Sequence, residues 1–237
     1  MRGLVGVLLL AGLPADAECR IALALAVDVS RSISADDYAI QRGGLIAALA
    51  DPGVQSAFLS SRDHVALAVY EWAGREYQAM IVDWVRIDDP GDLAAVAALV
   101  ATQQQVSQHL PTALGSALEY GRQVMADAPD CAVQVLDVVG DGRNNDGISP
   151  ADAYARRDFG ELVVNGLAIG EHESNLVRYY QTEVIRGPGA FVEVALRQSD
   201  YPAAIRRKLI RELSEQVLGF NASAPSLPAP QRVDPAP

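Results

Sequence analysis

Apolar and polar positions along the chain alternate between two periods. Ile21–Val27 contains nothing polar, as expected of a strand buried on both faces. Comparable runs at Val65–Trp72, Tyr77–Val85, Ala132–Val139, Leu162–Ile169 and Phe191–Leu196 bring the predicted strands to six. Only Ala73-Gly74-Arg75-Glu76 separates the second run from the third, which predicts a β-hairpin.

Helical patterns fill the intervals. A helix is predicted after Ser34, with Asp37 three residues on in a capping-box arrangement. Asp92–Ala101 is rich in Ala and Val, and Thr112–Ala126 carries Leu114, Ala117, Leu118, Gly121, Val124 and Met125 on one stripe. Further helices are predicted at Ala151–Arg157, Ser174–Ile185 and Tyr201–Leu218, and no internal repeat is present. Strands alternating with helices predict an α/β fold: a doubly wound, mainly parallel six-stranded sheet, Rossmann-like, with helices on both faces and one antiparallel edge strand. In such sheets ligands sit beyond the carboxyl ends of strands, where the strand order changes direction. Asp28 and Asp141 both stand at such ends.

Composition narrows the partners. Half of the 237 residues are apolar, enough for one sizeable core. The net charge is −11 and Lys and Arg are scattered, which argues against nucleic acid and anionic membrane surfaces as partners. Residues 1–17 (MRGLVGVLLLAGLPADA) read as a signal peptide: Arg2, the apolar stretch Leu4–Leu13, then Ala15-Asp16-Ala17 as a cleavage site. About ten apolar residues are too few for a bilayer core of ~30 Å, and Asp16-Ala17-Glu18 is a poor context for lipidation of Cys19. The expectation is a secreted or periplasmic protein, cleaved near Ala17, without a membrane anchor. Residues 19–220 then form one domain, and 221–237, rich in Ala and Pro, a disordered tail.

Three places offer hard oxygen donors at the predicted ligand edge. They are Asp28-Val29-Ser30-Arg31-Ser32, then Thr112, then Asp141-Gly142. Asp and Ser also cap helices and satisfy loop amides, so the first stretch alone fits an ordinary β-to-α turn equally well. Taken together, two carboxylates and three hydroxyls without sulfur suit a hard divalent ion, Mg²⁺ or Mn²⁺. Donors on alternate residues are expected to let an extended loop aim all three at one point.

Asp28, Ser30, Ser32, Thr112 and Asp141-Gly142, in this order and on these elements, resemble the metal-ion-dependent adhesion site (MIDAS) of von Willebrand factor type A (vWA, integrin I-like) domains. "VLDVVGDGRNNDG", "YEWAG" and "VDWVRI" resemble a secreted bacterial branch of that superfamily of unknown function. The resemblance implies that Ser30 and Ser32 bind the metal directly and Thr112 directly or through water. Asp28 and Asp141 would act mostly through water or by hydrogen-bonding the serines. Neutral donors leave the ion under-neutralised, so the partner implied is a protein or peptide that supplies an Asp or Glu carboxylate. The chain departs from the pattern where Pro111, rather than glycine, precedes Thr112, which restricts movement of that loop.

The same resemblance makes the strands ending at Asp28 and Asp141 neighbours. Counting back nine and ten residues then brings Cys19 and Cys131 side by side at the opposite edge. A disulfide is expected there, with two free buried thiols as the alternative.

Other polar residues carry two readings each. Asp137 either supports the site from behind or pairs with a helix-borne Arg or backbone amides. Asn144 and Asn145 shape the metal loop or simply serve turns. Arg143 occupies a position where an EF-hand needs an oxygen ligand, which removes that reading of DGRNNDG. His64, His109 and His172 are well separated; His109, nearest Thr112, is either a pH-sensitive neighbour or a solvated loop residue. Trp72 and Trp84 are expected to pack in the core or at the sheet edge. No nucleophile elbow or phosphate loop is present. The expected function is therefore metal-dependent binding rather than catalysis. The alternatives are a metal-dependent hydrolase, for which serines replace the second carboxylate or nucleophile, and a structural protein with a vestigial site.

Overall fold

The computed structural model describes residues 18–105, 109–171 and 173–221. The signal-peptide segment, His172 and nearly all of the expected tail lie outside the described residues. Six strands, β1 (Cys19–Asp28), β2 (His64–Trp72), β3 (Gln78–Ile87), β4 (Cys131–Gly140), β5 (Val163–Ile169) and β6 (Val192–Ala195), form one sheet in the order β3-β2-β1-β4-β5-β6. All neighbours are parallel except β2 and β3, the hairpin at one edge. The expected mixed, doubly wound sheet is therefore present. Its order places the switch point between β1 and β4, whose carboxyl ends carry Asp28 and Asp141.

All ten residues of β1 are buried, and they serve two cores in alternation. Ile21, Leu23, Leu25 and Val27 face α1 (Ala35–Ala50), α2 (Pro52–Phe58), α3 (Pro90–Ala101) and α7 (Tyr201–Asn221). Ala24 and Ala26 face α4 (Leu114–Ala126), α5 (Pro150–Arg156) and α6 (Leu176–Tyr179). The small alanines on the second face give α4 a close approach. A Cβ on Gly121 of α4 would stand 2.5 Å from Leu136 and 2.6 Å from the Tyr70 hydroxyl. That hydroxyl is itself donated to the Ala117 carbonyl at 2.8 Å. Trp72 is fully buried, and Trp84 packs against the same core while donating Nε1 to the Val124 carbonyl at 3.3 Å.

The capping box at Ser34 forms, with Asp37 accepting from the Ser34 amide and returning the bond. Three local features differ from the sequence expectation. Helix α2 was not expected; Asp51 caps it and Pro52 opens it, but seven residues are too few to show a helical period. The expected helix Ser174–Ile185 is one α-turn, α6, followed by a π-helical segment, Tyr180–Val184. Thr112 lies two residues before α4 rather than inside it, because Ala113 is the cap residue.

At the amino ends of the strands, Cys19 and Cys131 are direct partners in the β1–β4 register, and they form a disulfide with a Cα–Cα distance of 4.5 Å. Next to it the buried Arg20 guanidinium donates to the carbonyls of Ala57, Phe58 and Leu213 at 2.7, 2.9 and 3.2 Å. It thereby satisfies carbonyls that the end of α2 leaves open. Among the described residues no helix is long and apolar enough to cross a membrane.

Candidate metal centre

Three loops converge at the carboxyl edge of β1 and β4. The first follows β1, and its shape differs from the expected extended loop: the Ile33 amide donates to the Ser30 carbonyl at 2.9 Å, making a turn. The turn nevertheless presents both serines to one side, their Oγ atoms 3.3 Å apart. Ser30 Oγ is also 3.2 Å from Thr112 Oγ1, and Ser32 Oγ donates to Asp141 Oδ1 at 2.6 Å. Asp28 Oδ1 accepts the Ser30 amide at 2.8 Å. All five side chains singled out in the sequence thus meet at one place. Asp28, Ser30, Thr112 and Asp141 are buried there, and Ser32 is half-buried.

Backbone bonds fix the loops to one another. Arg31 N–H donates to Leu110 at 2.8 Å, joining the first loop to the second. Thr112 and Asn145 exchange bonds: the Thr112 amide donates to Asn145 Oδ1, and the Asn145 amide to the Thr112 carbonyl, each at 2.9 Å. Asn144 Oδ1 accepts the Gly115 amide at 3.2 Å. Both asparagines therefore tie the Asp141 loop to the Thr112 loop. Asp146 is held from outside by an ion pair with Arg75, and the Ala113 amide reaches the Ala73 carbonyl in the hairpin turn at 3.0 Å.

Gly115 is where this arrangement is tightest. A Cβ on it would lie 2.2 Å from the Ile148 carbonyl oxygen and 2.8 Å from that of Ser149, both backbone atoms of the loop after Asp141. Gly115→Ala is expected to destabilise the fold by roughly 1–3 kcal/mol, measured by chemical denaturation; a loss below a few tenths would show that the loop yields freely.

Electrostatically the site is a carboxylate pair without an evident counter-charge at Asp28. Burial, then the charge of Asp141, push the Asp28 pKa up to about 8 against hydrogen bonds from Ser30 that pull it down. No arginine or lysine is among the groups acting on it. Asp28 Oδ2 is buried without a hydrogen-bond partner. Tyr180, the first residue of the π-helical segment, stands behind it. A Cβ on Gly140 would be 2.5 Å from the Tyr180 hydroxyl and 3.0 Å from Asp28 Oδ2, so both atoms depend on glycine at this position. Nothing in the sequence pattern singles out Tyr180, because a tyrosine on a helical stripe reads as core.

Three residues weighed in the sequence are elsewhere. Asp137 is fully buried four residues before Asp141 and pairs with Lys208 of α7 at 2.5 Å. That is the helix-borne partner expected in kind, with lysine in place of arginine. His64 opens β2, and His109 is exposed on the loop before Thr112. Among the described residues no group of three or more His, Cys, Asp or Glu is placed to hold a metal; the cluster relies on hydroxyls.

Residues 18–217 match the model of a family described as protein of unknown function (DUF1194). The chain belongs to this family. No curated protein matches it significantly. Among solved structures, proximal thread matrix protein 1 from the mussel byssus is similar with a TM-score of 0.61 and 13% identity, over 84% of this chain and 49% of that one. A von Willebrand factor type A protein from Catenulispora acidiphila has a TM-score of 0.59 and 14% identity, over 83% and 43%. The PilB minor pilin of Streptococcus sanguinis has a TM-score of 0.60 and 13% identity, over 90% and 65%. The chain spans about half the length of the first of these. This chain therefore has the α/β fold seen in the von Willebrand factor type A protein.

Proposed function

We propose that the protein is a metal-dependent binding module that works outside the cytoplasm. In this reading it is a protein that binds another protein rather than an enzyme. Ser30, Ser32 and Thr112 hold Mg²⁺ or Mn²⁺, Asp28 and Asp141 support it, and a partner's Asp or Glu carboxylate completes the ion's shell. One observation carries the reading: two buried carboxyl groups share a pocket with three hydroxyls, and Asp28 keeps an unsatisfied oxygen with no cation beside it. A buried carboxylate without a counter-charge costs several kcal/mol, and a divalent ion relieves that cost. The donor set is all oxygen, which favours Mg²⁺ or Mn²⁺ over thiophilic ions. The chemistry supplied by the bound ion is Lewis acidity toward a carboxylate oxygen.

The neighbours support a binding role. One form of the mussel-byssus protein is described with a zinc-occupied MIDAS motif, and a pilus adhesin, SpaC from Lactobacillus rhamnosus GG, shares the fold. The Cys19–Cys131 disulfide supports an oxidising compartment, where such bonds persist. The leader expected at residues 1–17 would deliver the chain there.

Thermal melting with metal and with EDTA tests the reading. Mn²⁺ at a hundred times its Kd is expected to stabilise the wild type by about 2.7 kcal/mol. Asp28→Asn is expected to abolish that gain while leaving the EDTA-treated protein about as stable as wild type, since a pKa of about 8 keeps the metal-free Asp28 protonated near pH 7 and Asn is close to it in shape. Loss of the gain without loss of metal-free stability separates a metal role from a structural one. Equal melting temperatures in EDTA and in millimolar Mn²⁺ would refute a working site.

A further inference from the structure

The mouth of the site is an open cavity of about 340 Å³ bounded by Arg31, Ser32, Thr112, Asp141, Arg143 and Glu173. Two arginines lie among these residues in a chain of net charge −11, and they are not equivalent. Arg143 Nε is 2.9 Å from Glu173, and its guanidinium lies 5.3 Å from the centre of the Tyr179 ring. Its charge is matched and its position held from two sides. A third arginine near the loop, Arg75, is matched by Asp146. Arg31 is exposed and has no ion-pair partner among the described residues. Its backbone is nonetheless fixed, by its own amide to Leu110 and by the turn from Ser30 to Ile33. The base of the side chain is therefore anchored between the two serines while the guanidinium stays available.

We propose that the partner presents two acidic groups close together, the first to the metal and the second to Arg31. This rests on the metal-and-carboxylate reading above. Charge decides where a second acid on the partner goes. On the Arg143 side Glu173 repels it; on the Arg31 side an unmatched planar fork receives it, a geometry suited to carboxylates. Space allows both. At about 30 Å³ per water the cavity corresponds to on the order of ten waters, more than one acidic side chain displaces.

A random peptide library displayed on phage and panned on the Mn²⁺-loaded protein, with EDTA elution, tests this. Wild type is expected to enrich peptides carrying two acidic residues within a few positions of each other. Arg31→Glu, first shown to bind Mn²⁺ as wild type does, is expected to enrich single acids only. A synthetic peptide of the two-acid class should bind Arg31→Glu about five-fold more weakly or worse, the scale of an exposed ion pair, and its single-acid derivative should bind both proteins alike. The same enrichment from both proteins would overturn the proposal. So would equal weakening of the single-acid peptide, which would place Arg31 on the metal-bound carboxylate itself. If wild type enriches no acid in a Mn²⁺-dependent way, the metal-and-carboxylate reading fails first, and this proposal with it.

Discussion

Lys208→Met is expected to destabilise the protein by about 3–5 kcal/mol, the range for removing one partner of a buried ion pair. Lys208 is fully buried in α7, between Asp137 of β4 at 2.5 Å and Glu212 at 3.1 Å. The cluster extends to Asn165, whose amide donates to Glu212 at 2.5 Å and whose carbonyl accepts the Phe191 amide at 2.8 Å. Methionine fills similar volume, so the loss reports the stranded carboxylates rather than a cavity. Adding Asp137→Leu is expected to recover part of it, because replacing a buried pair by apolar groups is often neutral or better. Urea titration of both variants decides the matter; a loss under 1 kcal/mol for Lys208→Met would show that the carboxylates neutralise themselves.

The same cluster gives the fold a pH dependence of fixed sign. Burial, then the charge of Glu212, hold the Asp137 pKa well above 3.8, and Lys208 offsets only part of this. Burial pulls the Lys208 ammonium down, but Asp137 and Glu212 outweigh it and leave its pKa above 10.5. As pH rises past 3.8 the unfolded Asp137 releases its proton before the folded one does, so over that window its contribution falls. The lysine's contribution is complete below 10.5 and is also lost on the alkaline side. Neither group stabilises the fold by deprotonating.

How much of this was legible depended on whether the signal was local. Strand β1 was readable because every residue from Ile21 to Val27 is apolar and every one is buried. The meeting of Asp28, Ser30, Ser32, Thr112 and Asp141 followed from donor chemistry placed at strand ends. What the sequence concealed was the shape of the first loop, since an Asp-x-Ser-x-Ser spacing fits both an extended loop and the turn that closes from Ser30 to Ile33. The π-helical segment at Tyr180–Val184 was hidden for a related reason, because its stripe of apolar residues reads as an ordinary helix. Nothing in the helix predicted at Tyr201–Leu218 marks Lys208 as buried. Its partner Asp137 lies 71 residues away in sequence, and no pattern within one element reports such a pairing.

Removal of the disulfide is the other large effect expected. Cys19 and Cys131 close a loop of 112 residues, for which the chain-entropy model gives up to about 4.7 kcal/mol, with real bonds often giving less. For a chain of this size each kcal/mol shifts Tm by about 2–4 °C, so the Cys19→Ser/Cys131→Ser variant is expected to melt roughly 10 °C lower than wild type. Reductant should lower the wild type equally and the variant not at all. The bond ties the first residue of β1 to the first of β4, next to the Arg20 contacts that close the base of the sheet. At about 3.3 Å per residue, the nine residues from Cys19 to Asp28 separate it from the proposed metal site by about 30 Å. Mn²⁺ affinity at a temperature where both proteins are folded is therefore expected to be the same. Two alkyl adducts on unreduced wild type would show that the bond is not formed, and unequal Mn²⁺ affinities would show that the base of the sheet and its ligand edge are coupled.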